Sequence, residues 1–439
     1  MISYLDFSST IIVIFVDQQR TRMKQLLFLL MLLPALALQG QEVYRTQIFS
    51  PTIKSLQYKV GGEVYQLPVM ELDSELSMEI RFDEMSHETH AYSYRVIHCN
   101  ADWTPSDLNT NEYLEGYTQG DITDYERSVS THYLYTHYRT EIPNNDMRFR
   151  ISGNYVWLLY EDNQFDQPLA QLCFSVVEPR VQISSTLRSN TDVELSRRFQ
   201  QIDFEVMMSG YEVRDPSSEI KAVVRQNNRF DNEVRNIKPS FISGNTLSFV
   251  NNKALIFEGG NEYHSFDVSS VYAAGRGVDR IRFKDPGNEA YLTIDQIQKR
   301  SYVHEPDLNG RFIINNQEAY RDVHTESDYL QVHFYLKAPQ PFFDGIVYIG
   351  GELNYNRPDD KVRMQYDNNE MAYRHTMLLK QGGYNYQYWF IPKGGTKASV
   401  ERIDGSYWQA ENEYSIYIYH RAWGERYDRL VGVKTIVQN

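Results

Sequence analysis

The segment from Tyr92 to Tyr160 decides how this chain is interpreted. It opens with the alternating run Tyr92-Ser-Tyr-Arg-Val-Ile-His-Cys99, passes through Asn100-Ala-Asp-Trp-Thr-Pro-Ser106, and closes with Ser152-Gly-Asn-Tyr-Val-Trp-Leu-Leu-Tyr160. A period of two places successive side chains on opposite faces of a strand. Pro and Gly between the runs mark turns. The segment therefore predicts β-strands joined by ordered turns.

Comparable runs extend along the rest of the chain. They include Ile53–Val60 before the turn residues Gly61-Gly62, Glu75–Phe82, Phe204–Gly210 and Tyr384–Phe390. Short strands with turn residues between them are typical of β-sandwiches, and no amphipathic helix above about 12 residues is apparent. We therefore predict an all-β chain of tandem immunoglobulin-like or E-set-like β-sandwich domains.

Changes in this pattern divide the chain into modules. Glu178-Pro179 breaks the first series of strands, and Pro306 precedes the last series. We predict an N-terminal β-sandwich at 41–180, a middle β-sandwich at 181–304 and a C-terminal E-set-like β-sandwich at 305–439.

Residues 1–40 have the features of a targeting segment. Met23-Lys24 supplies a start and a positive charge, and Leu26–Leu38 is apolar but shorter than the about 20 residues that a membrane-spanning helix needs. We interpret residues 1–22 as an upstream extension and predict cleavage near Gly40, with the mature chain starting near residue 41. No cysteine follows the apolar run, so a lipid anchor is not predicted. The mature chain is expected in the periplasm.

The charge of the chain narrows the classes of partner. Its 439 residues carry a formal net charge of −14. Nucleic acid and anionic membrane surfaces would repel such a chain. Neither is a predicted partner, and direct membrane insertion is not predicted.

The only two cysteines, Cys99 and Cys173, allow one disulfide in an oxidising compartment. Both lie in apolar strand contexts. Buried free thiols are therefore the simpler interpretation.

A few residue combinations have the types that chemistry needs. His98 and Cys99 match a Cys–His hydrolase, but no activating motif surrounds them. His132 and His137 are separated by four residues, which on an alternating strand places them on opposite faces. Shared zinc ligation is therefore not expected. The acidic pairs between residues 112 and 124 fit solvated turn residues, so we predict no catalytic, cofactor-binding or metal site.

Two binding functions remain open. Flat aromatic rings beside Asn and Gln suit a carbohydrate site, with core packing as the alternative. Tyr and Trp are also enriched at the centres of protein interfaces. The long aromatic loop Ser106–Arg127 is a plausible contact surface, unless it packs on its own domain. The candidate interaction surface consists of Tyr113, Tyr117, Tyr125, Trp389 and Trp408, of which the two tryptophans are also the carbohydrate candidates.

A set of motifs in the first module carries a family resemblance. The blocks are His98-Cys-Asn-Ala-Asp-Trp103 with Pro105-Ser106, Glu112-Tyr-Leu-Glu-Gly116, Tyr135-Thr-His-Tyr138 with Pro143, and Ser152-Gly-Asn-Tyr155. In order and spacing they resemble the Plug protein family of the type IX secretion system. The sharp motifs are confined to residues 42–178, and the later modules match by pattern and placement.

This resemblance implies a non-enzymatic periplasmic protein that is associated with the outer membrane through its partner. Members of the family bind the periplasmic opening of the giant outer-membrane translocon barrel and close its pore when no cargo shuttle occupies it. A periplasmic carbohydrate-binding protein is the alternative. The resemblance supplies no contact residues, so we interpret the family motif as mainly structural. Its residues are His98, Cys99, Asp102, Trp103, Pro105, Ser106, Tyr113, Gly116, His137, Tyr138, Gly153 and Tyr155.

Overall fold

Short strands provide nearly all the regular structure of the computed structural model, which describes residues 43–63, 66–162, 164–191, 198–297 and 302–438. The all-β prediction is confirmed. The predicted targeting segment at 1–40 lies outside the described residues. From Tyr44 onward the chain forms one compact unit. Within the described ranges, no helix combines the length and the apolar character that a membrane span requires.

Residues 44–177 build a first sandwich. Its strands are β1 (Gln47–Ile48), β2 (Ile53–Val60), β3 (Val69–Glu71), β4 (Met78–Glu84), β5 (Tyr92–Cys99), β6 (Leu114–Gly116), β7 (Gln119–Ile122), β8 (Asp124–Arg127), β9 (Thr136–Ile142), β10 (Met147–Phe149), β11 (Gly153–Glu161) and β12 (Ala170–Val177). One sheet has the order β1-β12-β11-β5-β7, with β3 parallel to β12, and the facing sheet has the order β2-β4-β9-β8. The short strands β6 and β10 pair beside the one-turn helix α1 (Thr110–Tyr113).

Strand β11 is buried on both faces because its sheet is covered on both sides. Trp157 packs into the core between the two main sheets. Val156 and Leu158, on the opposite face, join a second apolar cluster that contains Trp103. A strand covered twice has an almost continuous apolar sequence rather than an alternating one, as the run Tyr155–Tyr160 shows.

A second sandwich begins after Val177. Its first strands are β13 (Gln182–Arg188), β14 (Phe199–Met207), β15 (Ile220–Gln226), β16 (Phe241–Ser243), β17 (Thr246–Phe249) and β18 (Ile256–Glu258), with helix α2 (Pro216–Glu219) and a 3-10 turn at Lys253–Leu255. One sheet has the order β13-β14-β17-β16, with β18 also paired to β14.

A third sandwich follows in the chain. Its strands are β19 (His264–Asp267), β20 (Val278–Lys284), β21 (Gly287–Leu292), β22 (Asp295–Gln296), β23 (Phe312–Ile314), β24 (Tyr329–Lys337), β25 (Gly345–Gly350), β26 (Gln365–Asp367), β27 (Ala372–Lys380) and β28 (Gly382–Pro392). Its short helices are α3 (Val323–Glu326) and the 3-10 turns Glu352–Asn354 and Asp360–Val362. One sheet has the order β20-β21-β24-β27-β26, and β28 pairs with β19, β23 and β25.

The last two strands, β29 (Glu413–His420) and β30 (Arg429–Val437), return to the second sandwich. They extend β15 into the sheet β15-β29-β30, and Tyr414, Ile416 and Val431 enter the second core. The sequence-predicted boundary between 304 and 305 therefore does not separate two cores. The third sandwich is an insertion within the second. Alternation identifies strands but not their distant partners, so this arrangement was not predicted.

Candidate functional site

His98 and Cys99 do not form a catalytic dyad. As neighbours on β5 their side chains point to opposite faces. The ring of His98 packs 4.9 Å from the ring of Tyr155, whereas Cys99 lies in the cluster around Trp103. Burial lowers the pKa of His98 to about 4, and its Nδ1 lies 2.9 Å from Ser106 Oγ. His98 is thus a neutral hydrogen-bonded ring near pH 7, and this geometry gives no support to the hydrolase hypothesis.

The two cysteines are buried free thiols, and no disulfide joins them. Burial raises the pKa of the Cys173 thiol to about 12. Because the thiolate is the nucleophilic form, Cys173 is unreactive near neutral pH.

His132 and His137 bind different carboxylates. Nδ1 of His132 lies 2.6 Å from Asp328, and Nδ1 of His137 lies 2.6 Å from Asp83. Within the ranges that the structure describes, no three His, Cys, Asp or Glu side chains are placed to hold a metal ion.

The Asn100–Thr104 turn of the family motif meets the β29–β30 loop at a buried carboxylate. Asp428 is 1% exposed and accepts hydrogen bonds from Ala101 N (2.9 Å), Arg421 Nε (2.9 Å) and Lys221 Nζ (2.7 Å). This one side chain therefore connects the first sandwich to β15 of the second sandwich, through Lys221, and to the start of the β29–β30 loop, through Arg421.

Neighbouring residues of the same loop extend this junction. Arg426 donates to the carbonyl of Asp107 at 2.7 Å and pairs with Glu112. The ring of Tyr427 lies 5.5 Å from the ring of His98. The β29–β30 loop thus packs against the motif residues between His98 and Glu112.

Trp103 seals the outer face of the first sandwich against the second. Its side chain is buried, its ring meets Phe230 edge-on at 5.9 Å, and the guanidinium of Arg225 lies 5.5 Å from it. Its φ of +68° turns the chain so that its carbonyl accepts a hydrogen bond from Tyr44 N at 3.0 Å. The Trp103 side chain therefore packs in the interface between the first and second sandwiches.

Several other motif residues define tight local geometry. Gly153 has a φ of +148°, and a Cβ at this position would collide with the His98 ring. Gly116 has a φ of +92°, and a Cβ there would collide with the carbonyl of Asp146. Close approach of neighbouring groups therefore requires glycine at both positions.

The remaining motif residues are also internally bonded. Asp102 accepts hydrogen bonds from the backbone and hydroxyl of Thr104, at 3.0 and 2.6 Å. Pro105 forms an isolated bridge with Cys99. The ring of Tyr138 stacks on another core ring at 5.2 Å, and its hydroxyl donates to the His90 carbonyl at 3.1 Å.

A second buried junction joins the first sandwich to the third. Asp83 of β4 and Lys380 of β27 are both buried and form an ion pair at 2.5 Å. Asp83 also accepts from Tyr329 Oη at 2.6 Å and contacts His137. Although burial opposes ionisation, Lys380 and His137 lower the pKa of Asp83 to about 2. Asp83 is therefore ionised inside the protein, while burial lowers the pKa of Lys380 against the opposing attraction of Asp83.

The residues predicted to form one interaction surface differ in their exposure to solvent. Tyr113 is buried, with its hydroxyl donating to the Val96 carbonyl at 3.2 Å, so its assignment to a surface is wrong. Tyr117 and Tyr125 are exposed, at 69% and 44%. The predicted ordered loop that carries them contains α1 and three short strands, β6 to β8.

The two tryptophans of that surface do not form an aromatic platform. Trp389 is wholly buried, and the guanidinium of Arg229 covers its ring at 4.2 Å. Its assignment to an interaction surface or a sugar site is therefore wrong. Trp408 is half-buried. The carbohydrate interpretation therefore loses one of its two candidate stacking faces, that of Trp389.

Sequence reasoning missed the residues that hold the junctions. Lys380 follows the apolar run Met377-Leu-Leu379, and a charge at the end of such a run is a signal for a buried ion pair. Asp428 lies in a loop rich in charged residues, where nothing in the sequence distinguishes it.

Together the fold and these contacts define an all-β protein of packed sandwich cores whose family motifs are joints between the cores. Residues 53–178 match the family model described as type 9 secretion system plug protein 1st domain. The chain belongs to the type IX secretion plug family, a family associated with that secretion system.

A solved structure supports the same architecture over the whole unit. The crystal structure of a hypothetical protein from Parabacteroides merdae is 40% identical, with a TM-score of 0.88, and the alignment covers 90% of this chain and 100% of that one. The partial N-terminal region of an enterococcal surface protein aligns at 6% identity with a TM-score of 0.19, too low to bear on the fold. A comparison with curated proteins finds no match.

Proposed function

We propose that this protein is a non-enzymatic periplasmic plug, which binds the periplasmic opening of the type IX translocon barrel and seals its pore when no cargo shuttle is bound. The match of residues 53–178 to the plug family carries this proposal. A pore wide enough for folded cargo leaks unless a folded body covers it. The plug leaves when the channel favours another partner, because a ligand shifts the equilibrium toward the state it binds better.

The organisation of the chain supports a sealing role. Asp428 holds the first sandwich to the second, and the Asp83–Lys380 pair holds the first to the third. A cover that must resist leakage benefits from buried, multiply bonded joints, which leave few low-energy ways to open.

The test is recovery of the barrel by the tagged mature chain from native envelopes, with a tagged periplasmic protein of similar size and charge as the control. We expect the barrel among the captured proteins, enriched when the cargo shuttle is removed. Envelopes from cells lacking this protein should also admit a small polar dye faster. Failure to capture a barrel that is present in the envelope, together with unchanged dye entry, would contradict the proposal.

A further inference from the structure

The edge strands of the two main sheets of the first sandwich lie next to each other in the chain. Strand β7 is the last strand of one sheet and β8 the last strand of the other, and only Thr123 separates them. Residues 119–127 therefore run along one side of the sandwich and are called the free edge here. All four residues of β8 are exposed.

The pairing of β8 with β9 shows which backbone groups are unpaired. Ser128 N donates to the Tyr135 carbonyl at 2.8 Å, in the same register that pairs Glu126 with His137 and Tyr125 with Tyr138. Opposed residues in an antiparallel pair alternate between bonded and non-bonded. Glu126 therefore bonds to β9, while the backbone of Tyr125 and Arg127 points away from it.

These outward groups have no hydrogen-bond partner among the described residues. Unpaired N–H and C=O groups along a strand are a template for an added strand. The free edge is therefore chemically competent to receive an extended segment.

Exposed apolar side chains flank both ends of the free edge. Tyr117, which is 69% exposed, precedes the free edge. Its backbone N–H donates a hydrogen bond to the Asp146 carbonyl at 2.8 Å. Val129 and Leu134 follow the free edge, and both are about half exposed. Phe283 of β20, also exposed, lies in the same region because its ring is 5.1 Å from that of His132. Exposed apolar side chains at both ends of an unpaired strand edge offer contacts to a segment that binds along it.

Several hydrogen bonds fix the segment that follows the free edge and carries Val129 and Leu134. Val129 N donates to the Thr325 carbonyl at 2.9 Å, and Asp328 accepts from the backbone of His132 and Tyr133 at 2.9 and 3.1 Å. The loop therefore presents its apolar side chains in one fixed arrangement, which lowers the entropy cost of binding.

The charge of the free edge selects the kind of partner. Asp121 and Glu126 are exposed and have no ion pair within the described chain, whereas Asp124 is paired with Arg139 at 2.5 Å. Arg127 is the one cation on the edge itself. A second copy pairing along this edge would bring carboxylates close together, and like charges directly opposite are unfavourable. A basic strand is attracted instead.

We propose that the free edge, with its apolar flanks, receives an extended segment of the translocon's periplasmic face that carries Lys or Arg and an apolar residue. The segment adds to β8 as a new strand. Its backbone bonds to Tyr125 and Arg127, and its cations lie beside Asp121 and Glu126. This inference rests on the proposed plug function and specifies its contact surface.

The backbone contribution is tested by comparing Arg127→Pro with Arg127→Ala in the full mature chain, using barrel capture from native envelopes. Proline removes the outward N–H while leaving the β9 ladder bonds of Glu126 intact. We expect Arg127→Pro to lower capture about tenfold, as loss of one or two interface hydrogen bonds would, and Arg127→Ala to change it less than about threefold. Equal capture by the two variants, with wild-type capture intact, overturns the edge inference and leaves the plug function standing.

The charge contribution is tested independently by Asp121→Lys combined with Glu126→Lys, because both side chains are exposed and the double variant is expected to fold even if the proline variant does not. We expect weaker capture in low salt and a smaller salt dependence than for wild type. Unchanged capture and salt dependence, or formation of a wild-type dimer that Arg127→Pro disrupts, overturns a basic segment as the occupant. Failure of the wild-type chain to capture the barrel, together with unchanged dye entry into envelopes that lack this protein, overturns both proposals.

Discussion

Trp103 shows how one motif residue joins two sandwiches. Its ring contacts Phe230 and lies beside Arg225, both from the second sandwich, while its backbone holds Tyr44. Replacement of a buried Trp by Ala removes these packing contacts and leaves a cavity at the interface. We therefore expect Trp103→Ala to lower the free energy of unfolding by about 3–5 kcal/mol.

Urea denaturation measures that loss. Trp423→Ala is the matched control, because Trp423 is 86% exposed and its removal should change stability by less than about 0.5 kcal/mol. A Trp103→Ala protein with wild-type stability but no barrel capture would instead make Trp103 a contact residue.

His98 should make stability depend on pH. Burial lowers its pKa to about 4 in the folded protein, against about 6.5 when unfolded. Below pH 6.5 the unfolded chain takes up the proton first, so the stabilisation is complete above that pH and falls as pH drops toward 4. The full loss is about 3 kcal/mol.

The measurement is urea unfolding of wild type and His98→Gln at several pH values between 4 and 7. Gln cannot titrate, so its unfolding free energy should fall less steeply across this range. Parallel curves for the two proteins would show that His98 does not titrate with a lowered pKa.

At the scale of elements, the β29–β30 loop is held by Asp428. The substitution Asp428→Asn keeps the shape but removes the charge that Arg421 and Lys221 bind. Both cations are partly exposed, so the expected cost is about 2–3 kcal/mol, the range for charge-assisted hydrogen bonds.

Glu425→Gln in the same loop is the control for Asp428→Asn. Its pair with Arg429 is partly exposed, and such pairs contribute about 0–1 kcal/mol. Comparable losses for the two variants in thermal unfolding would mean that Asp428 has no special role.

The strands were predicted where alternation is long enough to recognise. Tyr92–Cys99 and Tyr384–Phe390 fall within β5 and β28. Strands β6 to β8 were missed because three or four residues cannot display a period of two against background. Trp389 was assigned to a surface because alternation separates two faces but does not say whether the second face is also covered.

At the scale of the whole molecule, the Asp83–Lys380 pair fixes the first sandwich to the third. Removing one partner leaves a buried charge unpaired, so we expect Lys380→Met to cost about 3–5 kcal/mol. Adding Asp83→Leu should recover part of that loss, because two apolar residues need no counter-ion.

A double-mutant cycle measured by urea denaturation separates these effects. The control is Lys284→Met, whose ion pair with Glu289 is exposed on the lysine side. Additive losses for the two junction variants would show that Asp83 and Lys380 are not energetically coupled.

The insertion of the third sandwich within the second determines which pieces of the chain can fold alone. The third core is complete between Phe266 and Ile403, so a fragment of residues 262–404 contains every strand it needs. A fragment of residues 181–304 lacks β29 and β30, and with them Tyr414, Ile416 and Val431 of its core. We expect the first fragment to unfold cooperatively in urea and the second to remain unfolded, because one sheet of its sandwich is missing all but β15. Circular dichroism and the dispersion of amide resonances distinguish the two states. Cooperative folding of 181–304 would mean that the sequence boundary, and not the strand pairing, marks the true folding unit.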